Sequence, residues 1–509
     1  MTRNTRTGAL AACVAASLAL AGCTDSGTAA TGSSALNIAT MTFPQSLDPA
    51  QAVGSALPFF QATYDTLVKR EPDGEFRPML ATAWQYNADR TELALTLRKD
   101  VKFADGTPFD ATAVKANMER FAKGGGADAK WLKDLESVEV ADASHATLKL
   151  KQPNPAMIFY LSDAAGLMAN PAAFAKGDAL KTTPDGTGPY RLDKAKTTVG
   201  TKWVYRRNPD YWGDHLPYET LTMSFFDNET AIVNGLKTGQ VNAALLQSAD
   251  QQISIESDPR MKTTKQEFDF QGLLLFDRDG KLTPALKDPR VRQALNLAID
   301  RKTMLEAIRQ NRGEVTSQVF GPDTHGYDER LDTYYAHDPA KAKELLRAAG
   351  YADGFTLKLP RIAAIVNDAL AASLAGDFEA VGVKLVWDDL DGASAVQKVF
   401  TDRAYSGMVM NMGQSSSDWV VVDELVNPGA FNMFGTTDAT VRELLPRIRS
   451  GTAGQAGAAV RELGEHLVKE AWFVPFYRMS YLHVSDGSVT IRPQSGMAVP
   501  SIYNYSPAK

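Results

Sequence analysis

This chain of 509 residues has two cysteines, Cys13 and Cys23, and none after them. No disulfide, cysteine nucleophile or cysteine-ligated metal can therefore operate in the body, which has to be held together by buried apolar surface. The composition can supply that surface. Hydrophobic residues make up 44% and charged residues 22%, near the globular average, so wholesale disorder is not expected. At roughly 150 residues per domain the length corresponds to three or four domains' worth of core. Lys and Arg number 54 against 60 Asp and Glu, a net charge of −6. Without a basic block the chain lacks what phosphate neutralisation requires, so no nucleic-acid partner is expected. Past the N-terminus no apolar run reaches the ~18 residues of a membrane span.

The N-terminus has the layout of a secretory leader: Arg3 and Arg6 precede an uncharged stretch from Gly8 to Ala21 rich in Ala and Leu. It ends Leu20-Ala21-Gly22-Cys23, which resembles the lipobox of bacterial lipoproteins. That resemblance implies removal of residues 1–22 as a lipoprotein signal peptide and acylation of Cys23. Residues 23–35, low in complexity, would form a flexible tether, and the folded body would begin near Leu36, outside the cell membrane and lipid-anchored to its outer face. An ordinary leader with a coincidental cysteine is the alternative reading.

The body alternates short apolar strands with amphipathic helices, an α/β pattern. Strands are expected at Leu93–Leu97, Thr147–Lys151, Trp203–Tyr205, Leu273–Phe276, Thr356–Leu359, Val383–Trp387 and Met408–Met410. Asp288-Pro289 and Asp338-Pro339 each combine an N-capping carboxylate with a proline at the first helical position. Asp110 and Asp300 begin two more helices; Gly313 would stop the one after Asp300 and Gly350 the one after Asp338. No repeat and no long linker divides the body, so lobes that interleave in sequence are expected.

Catalytic signatures are missing. There is no Gly-x-Ser-x-Gly, His-Glu-x-x-His or Walker A motif. Gly186-Thr187-Gly188 is followed by Pro189, with Arg191 at the third glycine position of a dinucleotide fingerprint, and reads as a structural turn. The six histidines show no ligand spacing. The expectation is a protein that is not an enzyme and has neither cofactor nor metal centre.

Several segments in order resemble the peptide/nickel-type solute-binding proteins of bacterial ABC importers, solute-binding family 5. They are Ser46-Leu47-Asp48-Pro49, Leu80–Trp84, Asp100–Phe109 with Ala111–Val114, Gly186-Thr187-Gly188-Pro189-Tyr190, Arg207–Trp212, Asp288–Ala294, Asp338–Ala342 and Ala349-Gly350-Tyr351. The resemblance implies a two-lobed, periplasmic-binding-protein-like (type II) α/β fold with an extra domain inserted in lobe I. Lobe I would comprise 36–62, 184–271 and 478–509, the inserted domain 63–183, and lobe II 272–477. Phe268–Gly272 would be one crossover between lobes, with Gly272 allowing it to bend. The implied function is capture of a peptide or peptide-like solute, handed to a membrane permease with separate ATPase subunits; a monomer is expected. A non-peptide ligand such as a metal chelate, glycoside or other small metabolite stays open. So do two rivals of another class, a secreted lipoprotein hydrolase and a non-transport sensor.

In peptide-binding members an Asp in a lobe II loop pairs with the ligand's ammonium. The matching stretch is Met412-Gly413-Gln414-Ser415-Ser416-Ser417-Asp418-Trp419. It carries Asp418 over, but Asp-Trp replaces the family's Asp-Pro and Gln414 its upstream Trp. Ser416 adds a hydroxyl. Asp418 either meets the ligand or caps the helix after it. Arg361 would face a ligand carboxylate or else solvent. Trp387 and Trp419 would floor the pocket or belong to the core. Asn432 matches an Asn near the family's cleft, and Met41 and Phe43 would reach its mouth.

Overall fold

The computed structural model describes residues 34–509. The leader and Cys23 lie outside the described residues, as does the tether except for Ser34 and Ala35. The ordered body opens with the strand Ala35–Thr40, one residue before the expected start.

A nine-stranded mixed sheet organises the molecule. Its order is Gly407–Gly413, Lys262–Leu275, Phe473–Ser485, Ala243–Leu246, Ala35–Thr40, Thr220–Phe225, Lys202–Arg207 and Tyr190–Leu192, with Gly313–Val315 also paired to Phe473–Ser485. The two longest strands, Lys262–Leu275 and Phe473–Ser485, run antiparallel and join the two ends. Near Ser485 the second of them pairs with Ala243–Leu246, while Asp269–Leu275 of the first pairs with Gly407–Gly413. The register between them shifts twice, after Glu267 and after Gln271. Pro475 has no N–H to give the ladder. Gly272 faces it, and a Cβ there would stand 2.7 Å from the Pro475 Cα. Close approach of two backbones, rather than bending alone, therefore demands this glycine.

A separate four-stranded antiparallel sheet, Ala81–Tyr86, Glu92–Leu97, His145–Leu150 and Leu135–Asp142 in spatial order, packs against the helix Ala111–Lys123. Val114, Met118 and Phe121 of that helix lie in a common apolar core with Leu93, Leu95 and Leu148 of the sheet. Against these two long strands, the helices Pro289–Ala298, Pro339–Ala348 and Asp368–Glu379 enclose a second core around Leu273, Val409 and Phe476.

The caps form as the sequence suggests. Asp110, Asp288, Asp300 and Asp338 each accept a backbone N–H in the first turn of the helix that follows, and Gly350 sits at φ +89°. Gly313 differs from expectation. The helix after Asp300 ends at Arg309, with Gln310 in the left-handed conformation. Gly313 instead starts a strand, where a Cβ would lie 2.1 Å from the Arg478 carbonyl oxygen.

The segments that resemble the family's signatures build scaffold. Gly186 and Gly188 press on Thr63 and Tyr64, leaving only 2.3–2.4 Å for a Cβ. The buried Asp65 carboxylate gathers four donors: Thr187 Oγ1 (2.8 Å), Tyr211 OH (3.0 Å), Trp212 Nε1 (2.8 Å) and Tyr503 OH (3.1 Å). Burial pushes its pKa up to about 6 even though these bonds favour the ionised form. Arg292, in Asp288–Ala294, donates to the carbonyls of Leu286, Lys287, Glu470 and Ala471.

Candidate functional site

The strand Gly407–Gly413 leaves the sheet beside the crossover, continues through Gln414–Ser417, and turns into the helix Asp418–Leu425. Strand, short polar loop and helix start place the Ser-rich segment at the rim of a cavity of about 460 Å³. Ser416, Ser417, Asp418 and Trp419 line one wall together with Asp323 and His325. Asp73, Gly74, Glu75 and Phe76, from the turn between the strands Val68–Arg70 and Phe76–Pro78, face them, with Phe159 and Ser495.

The two walls touch at several points. Ser495 Oγ donates to Asp323 Oδ2 at 2.6 Å. A Cβ on Gly496 would lie 2.4 Å from the Ser416 backbone N, so this turn must be glycine to approach the loop. Farther along, Lys133 Nζ lies 2.6 Å from Asp423, and Arg449 donates to Gln152 Oε1 at 2.6 Å. The Lys133 contact ties the segment before the strand Leu135–Asp142 to the helix bearing Asp418, and the Arg449 contact ties Gln152 to the helix Ala439–Ser450.

Asp418 does not cap its helix. Ser417 occupies the N-cap position, without a side-chain cap bond, and Asp418 is the first helical residue. Its carboxylate takes the His325 backbone N–H (2.9 Å) and lies 2.8 Å from His325 Nδ1. The Asp418 side chain is 20% exposed and that of His325 65%, so the pair is open to the cavity. Negative charge in the first helical turn is favourable, which suits a carboxylate there. Trp419 is buried, its ring 4.7 Å from the Arg449 guanidinium, while its Nε1 has no hydrogen-bond partner. It is both wall and core.

The other proposed ligand residues are placed elsewhere. Gln414 is buried and donates to the Val319 carbonyl, packing under Gly321 rather than lining the cavity. Asn432 is fully buried. It organises its own loop by bonding Val426 O, Thr436 O and the Thr436 N–H, and accepts from Arg278. Arg361 is held by the Val366 carbonyl, Asp368 and Asp389, and Trp387 donates to the Ala371 carbonyl; neither lines the cavity. Phe43 packs against Trp203 and Phe225. Met41 is exposed beside a second, smaller cavity of about 100 Å³ lined also by Glu229, Gln247, His483 and Tyr505. Of the nine ligand-binding candidates, then, Ser416, Asp418 and Trp419 meet in one place.

His325, Asp323, Asp73, Glu75 and Phe76 were not foreseen. The one local signal was Gly321–Gly326, a turn-rich stretch carrying one of only six histidines. Among the described residues no cluster of three or more His, Cys, Asp or Glu side chains is placed to hold a metal. Among them too, no helix is long and apolar enough to cross a membrane.

The two long strands Lys262–Leu275 and Phe473–Ser485 carry buried polar pairs as well as apolar core. Tyr481 donates to Asp269, whose pKa burial raises to about 6. Arg478 is bound by both oxygens of Asp332 at 2.7 Å and by Glu314 at 3.0 Å. His483 Nε2 lies 2.8 Å from Gln266 Oε1, and burial lowers the His483 pKa to about 4.

Comparison with known proteins agrees with this architecture. The glutathione-binding protein GsiB of Salmonella paratyphi A is 29% identical over 300 residues, which is 58% of this chain and 57% of GsiB. This chain thus spans little more than half the length of the curated relatives it matches. The structure of AgaA from A. tumefaciens R10, in complex with agropinic acid, superposes with a TM-score of 0.76 at 24% identity, covering 93% of this chain and 99% of AgaA. The periplasmic binding protein DppA from Helicobacter pylori, in complex with the peptide STSA, gives 0.77 at 21%, covering 93% and 98%. The fold is accordingly the two-lobed, type II periplasmic-binding-protein fold of mixed α/β type. Residues 75–425 match the family model described as bacterial extracellular solute-binding proteins, family 5 Middle; the chain belongs to the family 5 bacterial extracellular solute-binding proteins.

Proposed function

We propose that the protein is the extracytoplasmic binding component of an ABC importer, capturing a peptide or peptide-like solute between two lobes and delivering it to a membrane permease served by ATPase subunits. The observation that carries this reading is the cavity walled by Asp418, Trp419 and Ser416 on one side and by residues 73–76 on the other. A carboxylate at its rim and apolar surface from Phe76, Phe159 and Trp419 suit an ammonium group followed by a short backbone and side chains. Hinge motion at the two crossover strands would open and close it, removing water from ligand and wall together. In this reading lobe I is 36–62, 184–271 and 478–509, the inserted domain 63–183, and lobe II 272–477. The protein acts as a monomer tethered through lipidated Cys23, and it does no chemistry on its ligand.

A non-peptide solute is the second reading. It is favoured by the changed loop, with three serines and Asp-Trp in place of Asp-Pro, and by the agropinic acid complex of AgaA. Ligand-dependent thermal melting separates the two, because a ligand at 100 times its Kd stabilises the native state by about 2.7 kcal/mol. A shift with short peptides supports the first reading. A shift with agropinic acid or metal chelates alone overturns the peptide assignment and keeps the receptor. No shift with any class removes the receptor reading's support.

A further inference from the structure

Four carboxylates line the cavity, Asp73, Glu75, Asp323 and Asp418, and no Lys or Arg does; His325 is the only basic side chain in the lining. Their partners leave most of this charge uncompensated. Asp73 accepts the Glu75 N–H and Asp323 the Ser495 hydroxyl, both neutral donors. Glu75 meets Arg77 at 2.6 Å, but both side chains are more than half exposed, where water and salt screen the pair. Asp418 is held by His325. Two further guanidiniums stand behind aromatic wall residues and are engaged there: Arg70, 4.1 Å from the Phe159 ring, pairs with the buried Asp163 at 2.9 Å, and Arg449, 4.7 Å from the Trp419 ring, donates to Gln152.

A second, independent feature points to a bound ligand. Trp419 is 3% exposed and lines the cavity, yet its Nε1–H has no acceptor. Unpaired buried donors are rare; this one is covered in the present structure and would meet a carbonyl of a captured solute once the wall opens around it. The apolar surfaces of Phe76, Phe159, Ile448 and Val460 complete the walls and strengthen every charge interaction between them once water leaves.

Resting on the reading of this cavity as the solute site, we propose that it selects solutes of net positive charge, short peptides with a cationic side chain above all, and discriminates against anionic ones. Glutathione, with two carboxylates and one ammonium, would be disfavoured, in contrast to what the name of the Salmonella relative says of that protein.

The test is titration calorimetry of the full-length protein with four probes of similar size: Lys-Ala-Lys, trialanine, Glu-Ala-Glu and glutathione, with spermidine as a non-peptide cation. Lys-Ala-Lys is expected to bind about tenfold more tightly than trialanine and about a hundredfold more tightly than Glu-Ala-Glu. That preference should shrink about fivefold in 0.5 M salt and in Glu75→Gln, an exposed change that leaves the melting point in place. Asp323→Asn, which keeps an acceptor for Ser495, should shrink it similarly. Equal affinities across the charged peptides would overturn the charge selection and leave the peptide reading standing. Binding of spermidine alone would overturn the peptide reading and leave charge selection standing. Preference for glutathione, or no binding by any probe, would overturn the proposal.

Discussion

Asp65 and Asp418 both sit where several chain segments meet, and their surroundings are opposites. Asp65 is sealed in, with its two oxygens shared among four donors drawn from residues 187, 211, 212 and 503. Asp418 faces a cavity and is engaged by a single, largely exposed histidine. The first carboxylate has nothing left to offer a ligand, while the second, in the proposed reading, exchanges His325 for a cationic partner. Saturated hydrogen bonding marks a structural joint, and the single-histidine partner of Asp418 and the unpaired Trp419 indole mark the wall proposed to hold a ligand.

That contrast breaks first at Asp65. Asp65→Ala should cost about 4 kcal/mol in urea unfolding, because four buried donors lose their acceptor, with ligand affinity of the remaining folded protein unchanged. Asp418→Ala should behave the other way. It should lose about 3 kcal/mol of affinity for a cationic ligand, measured by calorimetry, while unfolding stability moves by less than about 1 kcal/mol. If both variants lost stability alone, Asp418 would be a second structural hub. Gly188→Ala sharpens the structural half: its Cβ would meet the Thr63 carbonyl carbon at 2.4 Å, and the backbone shift required should cost about 2–3 kcal/mol, again by urea unfolding.

The pH dependence of the crossover strands gives the smallest effect. His483 has its pKa lowered to about 4 by burial, below the ordinary value near 6.5. The unfolded chain therefore binds the proton first, and stability is lost as pH falls from about 6.5 towards 4. Asp65, Asp128 and Asp269, raised to about 6 mainly by burial, act in the opposite sense, with stability falling as pH rises from about 4 to 6. Comparing His483→Gln with the parent protein cancels the aspartates. The variant should gain on the parent by about 2 kcal/mol between pH 7 and pH 4.5, read from melting curves.

The architecture was legible because its signals are local. Asp-Pro caps, the left-handed Gly350 and Leu alternation in Leu93–Leu97 are each decided within a few residues, and the ordered motifs pointed to the fold. Yet those motifs report packing. Gly186 and Gly188 are there for Thr63 and Tyr64, and Arg292 for carbonyls around residue 470. The site was legible only in the loop 416–419. Its opposite wall, 73–76, and His325 come from segments about 90 to 350 residues away in sequence, joined by tertiary contact alone. Asn432 and Arg361 were misleading because matching residue types sit near the right region while their side chains are taken up by neighbouring backbone and carboxylates. Gly313 was misread because a glycine after a helix and a glycine under a neighbouring carbonyl look alike in sequence.

The most direct measurement is a crystal structure of the protein with a bound Lys-Ala-Lys peptide. The account predicts density in the cavity between residues 73–76 and 416–419, an ammonium within hydrogen-bond distance of Asp418, and a carbonyl at the Trp419 indole nitrogen. A ligand seated instead in the smaller cavity beside Met41 and His483, with the Asp418–His325 pair untouched, would contradict it.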